Sequence, residues 1–284
     1  MGQKKVRAAY FSATDTTMRV VTFLADRISA ELGLGPAEEP FDFTLPRKRA
    51  QGKAFSSDEA VVFGVPVYAG RVPNVLLKFL AEIAGNGALA VPVVLYGNRN
   101  YDDALIELRD ILEKDGFHTV AAAAFVGEHS FSRILGAGRP DEADFALAGE
   151  FAREAAGKLR AVWEKKESAD GKAFEQGPVP VRGETPIRGY YQPRDRKGTP
   201  IDIRKVLPKT GPECTKCGLC ARLCPMGSID PEDVSRYTGI CIKCGACIKK
   251  CPENARYYDD EGYLYHQHEL EEGYTRRAEP EFFL

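Results

Sequence analysis

The chain's eight cysteines all fall between Cys214 and Cys251, and the 213 residues before them contain none. Within that window the pattern C-x2-C-x2-C-x3-C-P occurs twice. It runs through Cys214, Cys217, Cys220 and Cys224 to Pro225, then through Cys241, Cys244, Cys247 and Cys251 to Pro252. A disulfide framework would not leave a long cysteine-free domain beside it, so the clustering points to metal. Zinc sites usually draw on two separated CxxC pairs, and a triple closed by Cys-Pro exceeds that need. Three thiolates from one tight loop can wrap three corners of a cubane iron–sulfur core. The fourth cysteine, one helical turn on, points the other way. Gly218 and Gly245 hold matching places in the two loops, where backbone crowds a cluster and glycine has room for unusual φ. Pro225 and Pro252 help turn the chain out of each loop, and Leu219, Leu223, Ile242 and Ile248 can form an apolar shell.

The pattern predicts two [4Fe–4S] clusters. In two-cluster ferredoxins the fourth cysteine of each run ligates the other cluster. By that rule cluster I takes Cys214, Cys217, Cys220 and Cys251, and cluster II takes Cys241, Cys244, Cys247 and Cys224. The stretch Lys205–Arg256 resembles the bacterial two-cluster ferredoxins, with all eight ligands in place.

A second constellation lies near the N-terminus. After an apolar strand come Ser12, Ala13, Thr14, Asp15, Thr16 and Thr17, then a helix. Amides at a helix N-terminus, with hydroxyls beside them, can hold a phosphate without a cationic side chain. The plain alternative is a helix N-cap rich in Ser and Thr. Two later loops fall at the same sheet edge. One reads Pro66, Val67, Tyr68, Ala69, Gly70, Arg71; the other reads Gly97, Asn98, Arg99, Asn100, Tyr101. Tyr68 and Tyr101 are candidate aromatic faces for a flavin, Gly70 allows close backbone approach, and Gly97 and Asn98 can offer backbone and amide groups.

Strands at Lys5–Phe11, Phe41–Thr44, Ala60–Val67, Val91–Tyr96 and Phe117–Val126 alternate with helices at Thr17–Leu32, Asn74–Ile83, Asp102–Glu113 and Asp144–Lys166, with Asp102 as an N-cap. This order predicts an α/β fold, a five-stranded parallel doubly wound sheet, with a small α+β cluster domain after it. In a flavodoxin-like sheet the ligand lies outside the carboxyl ends of the strands, between the first and third. All three loops meet there. The expected domains are 1–167 for FMN binding, 168–204 as a Pro- and Gly-rich linker, and 205–284 for the clusters and tail. Part of the linker, with Tyr190 and Tyr191, is expected along the first domain; a free linker is the alternative.

The phrases YFSATDTT, PVYAGRVPN and LYGNRNYDDAL, followed by the cysteine repeat, resemble the flavodoxin–ferredoxin fusion proteins of anaerobic bacteria and archaea, the EFR-type ferredoxin family. The resemblance implies FMN and two clusters in one polypeptide, with Ser12, Thr14, Thr16 and Thr17 on the hydroxyl positions of the flavodoxin phosphate loop. Asp15 departs from that loop's usual glycine. Aspartate tolerates left-handed backbone, and its charge suits a phosphate site only if it points outward.

The function expected is electron transfer between the clusters and FMN, with a redox partner protein outside. An FMN-dependent reductase of a small molecule, or a cluster-based sensor, are the alternatives. A net charge of −2 over 284 residues gives no bulk attraction to nucleic acid, and no apolar run reaches membrane-span length. The expected location is cytoplasmic. His118, His129, His266 and His268 read as solvated or surface residues, and Lys216, Arg222, Lys243, Lys249 and Lys250 as ordinary solvated charges.

Overall fold

The computed structural model describes residues 3–168 and 177–284. Apolar runs too short for helices build the centre of a sheet. These are β1 (Lys5–Tyr10), β3 (Glu59–Pro66) and β4 (Leu89–Tyr96), with the more exposed β2 (Glu38–Asp42) at one edge. The next strand is broken into β5 (His118–Thr119) and β6 (Ala122–Val126), both parallel to β4. The order β2-β1-β3-β4-β6 is parallel throughout and matches the flavodoxin-like arrangement.

Helices cover both faces. On one, α1 (Thr16–Glu31) packs on α4 (Glu142–Ser168), joining Val20, Leu24 and Ile28 to Phe151, Ala155 and Leu159. Gly64 of β3 lets α1 lie close: a Cβ there would stand 2.2 Å from Val21 Cγ2. The other face carries α2 (Asn74–Leu80) and α3 (Ala104–Lys114), which bury Leu76, Leu80, Leu105 and Leu108.

Three expectations change. The sheet has a further, antiparallel edge strand, β9 (Glu281–Phe283), paired to β6 and supplied by the C-terminal tail. Asp103, not Asp102, is the N-cap of α3; Asp102 takes φ 45° and pairs with Arg99. Helix α4 begins at Glu142, where Asp141 and Asp144 accept reciprocally from each other's backbone N–H at 3.1 and 2.9 Å.

Residues 177–191 form a strap across the first domain, beyond which Arg196 N donates to Tyr265 Oη of the second module at 3.0 Å. Val179 N donates to Thr119 Oγ1 at 3.1 Å, Tyr191 N to Ala69 O at 2.8 Å, and Tyr190 Oη to Val72 O at 2.9 Å. Arg188 reaches the fully buried Asp103 carboxylate with two guanidinium bonds, at 2.6 and 2.9 Å. That pairing holds Asp103 well below the usual carboxylate range. The part of the expected linker at 169–176 lies outside the described residues.

The cluster module follows. A short antiparallel ladder joins β7 (Lys209–Thr210) to β8 (Arg256–Tyr257), enclosing α5 (Leu219–Leu223) and α6 (Ala246–Lys249). Helix α7 (Glu261–Gly273) comes next, N-capped by Asp260, whose carboxylate accepts from Tyr263 N at 2.8 Å. Among the described residues no helix is long and apolar enough to cross a membrane.

Candidate functional site

The two cysteine runs fold alike because their backbones turn alike. Lys216 and Lys243, Gly218 and Gly245, and Gly227 and Asn254 are matched pairs with positive φ. Ser228 N donates to Cys224 Sγ at 3.4 Å, and Ala255 N to Cys251 Sγ at 3.3 Å, again matched positions. One cavity is lined by Cys214, Cys217, Cys220, Cys247 and Cys251. A second is lined by Cys224, Cys241, Cys244 and Cys247. Each draws on both runs: Cys251 crosses to the first cavity, Cys224 to the second, and Cys247 lines both.

Among the described residues, no three His, Cys, Asp or Glu side chains converge tightly enough for a single ion. The thiols instead ring two cavities, as donors to a multi-atom cluster must. Burial pushes Cys220 and Cys244 upward and Cys247 up to about 12. Such buried thiols ionise only when a metal supplies the compensating charge. The donor set therefore fits iron–sulfur clusters.

The repeats differ in one respect. Cys217 is exposed, while its counterpart Cys244 is only 9% exposed and belongs to the apolar core that fills one face of the sheet. Beside Cys244 lies a smaller cavity lined by Thr14, Thr16 and Thr17 from the head of α1, by Pro66, Val67 and Tyr68, and by Gly97 and His129. It adjoins a cavity of about 650 Å³, within the range of small-ligand sites. The two share Val67, Tyr68, Tyr96, Gly97, His129 and Ser130. Ala69, Gly70, Arg99 and Asn100 extend the larger wall; Tyr191 of the strap, His266 of α7 and Cys241, Ile242 and Lys243 of the cluster loop close it.

Not every candidate residue reaches these cavities. The Ser12 hydroxyl accepts from Met18 N at 3.0 Å, so it caps α1 as the plain alternative required. Asp15 takes φ 68° and turns its carboxylate to Lys250 Nζ at 2.6 Å, with no side-chain cap to the helix. Arg71 is bound bidentately by Glu107 at 2.7 Å and lies over the Tyr190 ring, outside the large cavity. Asn98 spends its amide on the tail: Nδ2 donates to Tyr274 O and Arg276 O at 2.7 and 2.8 Å, and Oδ1 accepts from Ala278 N at 3.0 Å. Tyr101 is fully buried and its hydroxyl donates to Glu281 at 2.6 Å, so its ring is no stacking surface.

Several residues read as solvated are built into the site. His266 is 5% exposed and stacks on Tyr191 at 5.9 Å. Burial, with Arg99 nearby, holds it down to about 4. His129 packs so close to Gly97 that a Cβ there would stand 2.2 Å from its ring. Burial, aided by Lys249, His266 and Arg99, takes it down to about 3. Its Nδ1 accepts from Phe131 N at 3.1 Å, leaving Nε2 as the donor of a neutral ring. Lys249 bonds Glu128 and Ser132 O, and buried Lys243 bonds two backbone carbonyls. Lys216 and Arg222 remain exposed. The site histidines come from segments far apart in sequence, so no spacing announces them.

Residues 213–256 match the family described as the 4Fe-4S dicluster domain. No curated protein matches the chain. Among solved structures, the chain is similar to a flavodoxin from the domain Archaea, at 13% identity over 55% of this chain and 99% of that one, with a TM-score of 0.39. It is also similar to a Fusobacterium nucleatum flavodoxin bound to flavin mononucleotide, at 18% identity over 56% and 98%, TM-score 0.36. A third is the rubredoxin oxygen:oxidoreductase of Desulfovibrio gigas, at 18% identity over 56% and 37%, TM-score 0.38. The fold assignment rests on the strand order itself. The chain joins a flavodoxin-like domain to an iron–sulfur module.

Proposed function

We propose that the chain is an electron-transfer flavoprotein of the EFR-type fusion kind, holding two [4Fe–4S] clusters and FMN in one polypeptide. The observation that carries this reading is that Cys241 and Cys244, which line the second cysteine cavity, also line the larger and the smaller cavity at the carboxyl edge of the sheet, respectively. When bound, the clusters and FMN supply the redox chemistry: one electron at each cluster, one or two at the flavin. The residues do the rest. Thr14, Thr16, Thr17 and the first-turn amides of α1 are suited to the phosphate. Tyr68 faces the cysteine loop, and burial raises its phenol well above the ordinary value, so it stays protonated. Neutral His129 and His266 add no charge of their own to a wall that already carries Arg99 and Lys243. Cys217 leaves the outer cluster's ligands open to a redox partner protein.

The test is rapid mixing of the anaerobic protein with a one-electron donor while flavin absorbance is followed. The expected flavin reduction rate is independent of protein concentration. A rate rising in proportion to concentration would show transfer between molecules and overturn the reading. A reductase reading draws on Arg99, Asn100, Gln192 and His266, which give the large cavity polar side chains beyond the part shared with the smaller one. Steady turnover of NAD(P)H or a quinone would support it.

A further inference from the structure

Helix α6 has four residues, too few to stand without tertiary support. It contains Cys247 and runs between Cys244 and Cys251, so three thiols that would hold a cluster lie in and on either side of it. The segment it anchors reaches the loops at the sheet edge through independent contacts. Lys250 Nζ bonds Asp15 at 2.6 Å in the hydroxyl-rich turn. Lys249 Nζ bonds Glu128, and Ser132 O at 2.8 Å, in the loop after β6. Gly245, at φ 75°, comes so near that loop that a Cβ would stand 2.5 Å from Ser130 O. Arg133 returns the contact, bonding Ile248 O at 3.2 Å and Asn254 at 3.3 Å.

From these contacts we infer that the flavin site is shared between the two modules: the cluster-bearing loop Cys241–Cys244 completes its wall, the following segment Gly245–Cys251 ties that loop to the sheet edge, and Lys250 makes the phosphate loop usable by neutralising Asp15. The inference rests on the flavin reading above. An aspartate at the head of α1 opposes an incoming phosphate through like charge. The same aspartate, paired with Lys250, becomes a tie between the loop and the cluster module. Flavin and cluster binding are then linked, and linkage is reciprocal: whatever cluster occupancy does for FMN affinity, FMN does for cluster retention. Riboflavin lacks the phosphate and so escapes the charge part of this coupling.

The experiment titrates FMN and riboflavin into the anaerobic full-length protein, followed by quenching of flavin fluorescence, with iron content checked for each variant. Lys250→Gln is expected to weaken FMN about tenfold at low salt, within the 5–150-fold span of typical couplings, and to leave riboflavin unchanged. Adding Asp15→Gly to Lys250→Gln is expected to restore FMN affinity, since glycine also accepts the left-handed backbone at that position. Protein stripped of iron is expected to bind FMN less tightly than the loaded protein. Saturating FMN should in turn slow iron loss to a chelator. Equal loss of FMN and riboflavin affinity in Lys250→Gln would show a merely structural role and overturn the charge assignment. FMN affinity unaffected by removing iron would overturn the shared site. Failure of the loaded wild-type protein to bind any flavin would instead sink the flavin reading itself.

Discussion

The two histidines of the cavity wall make stability fall as pH drops below neutrality, whereas a solvated pair, ionising alike in the folded and unfolded chain, would give no dependence. His129 and His266 sit at about 3 and about 4 in the folded protein, against 6.5 ordinarily, chiefly through burial. A depressed histidine contributes stability that is complete above the unfolded value and is lost as pH falls toward the folded value. At pH 5 the unfolded chain protonates both rings while the folded one protonates neither to any extent. The difference costs roughly 2 kcal/mol for each ring, or roughly 4 kcal/mol for the pair, between neutral pH and pH 5. Protonating them in place would set two new cations beside Arg99 and Lys249, with Glu269 the acidic group near His266.

The assay is anaerobic urea unfolding at pH 7 and pH 5, with cluster absorbance and flavin fluorescence followed together. It compares wild type with the double variant His129→Asn, His266→Gln. Asparagine can keep the acceptor that Phe131 N uses. His118 is lowered in the same direction, so the wild type's own slope does not isolate the pair, whereas the difference between the two proteins does. The double variant is expected to lose roughly 4 kcal/mol less on acidification than wild type. Identical pH slopes, or imidazole resonances titrating near 6.5 in the folded protein, would refute the reasoning.

Other expectations follow from single contacts. Cys224→Ser should abolish the EPR signal of the cluster held by the second run, and Cys251→Ser that of the first; loss of each run's own cluster would overturn the crossed assignment. Gly245→Ala and Gly218→Ala both strain a left-handed position, by about 1–2 kcal/mol. Only the former should also weaken FMN, because its Cβ meets the Ser130 backbone oxygen at 2.5 Å whereas Gly218 meets only the flexible Arg222 Nη1 at 3.2 Å; equal FMN affinity in the two variants would count against the inter-module contact. Tyr101→Phe should lower stability by about 1.5 kcal/mol, the low end for a bond to a charged group because Glu281 is partly exposed. FMN affinity should hold, and a large drop would return Tyr101 to the site.

The cysteine pattern and the alternation of five strands with four helices are legible because each is written in local spacing. A loop that wraps a cluster needs its ligands two residues apart, and a parallel strand needs its apolar run. The errors share a cause in long-range contact. Asn98 and Tyr101 stand where flavin-binding residues would, but the tail returns across some 180 residues of sequence and takes their polar atoms at Ala278 and Glu281. The three residues of β9 carry no strand signal of their own and are held by pairing with β6. His266 and Lys249 look like surface residues within their own helices; His266 becomes buried and Lys249 half-buried only when a second module closes over them. Asp15 departs from the usual glycine of its loop, and the residue that pairs with it lies 235 positions away.

The cluster repeat carries the same lesson further. The two runs agree in ligand spacing, in three left-handed positions and in the amide that reaches the fourth sulfur. Nothing in their local sequence makes one the inner and the other the outer. The difference comes from what the second run packs against: Gly245 against Ser130, Lys249 against Glu128, Lys250 against Asp15. At the matching places the first run has Gly218, open except for Arg222, and the exposed Arg222 itself. Solvent exposure and hydrogen bonding are among the factors that set a cluster's potential. Two nearly identical ligand sets thus acquire different surroundings through docking alone.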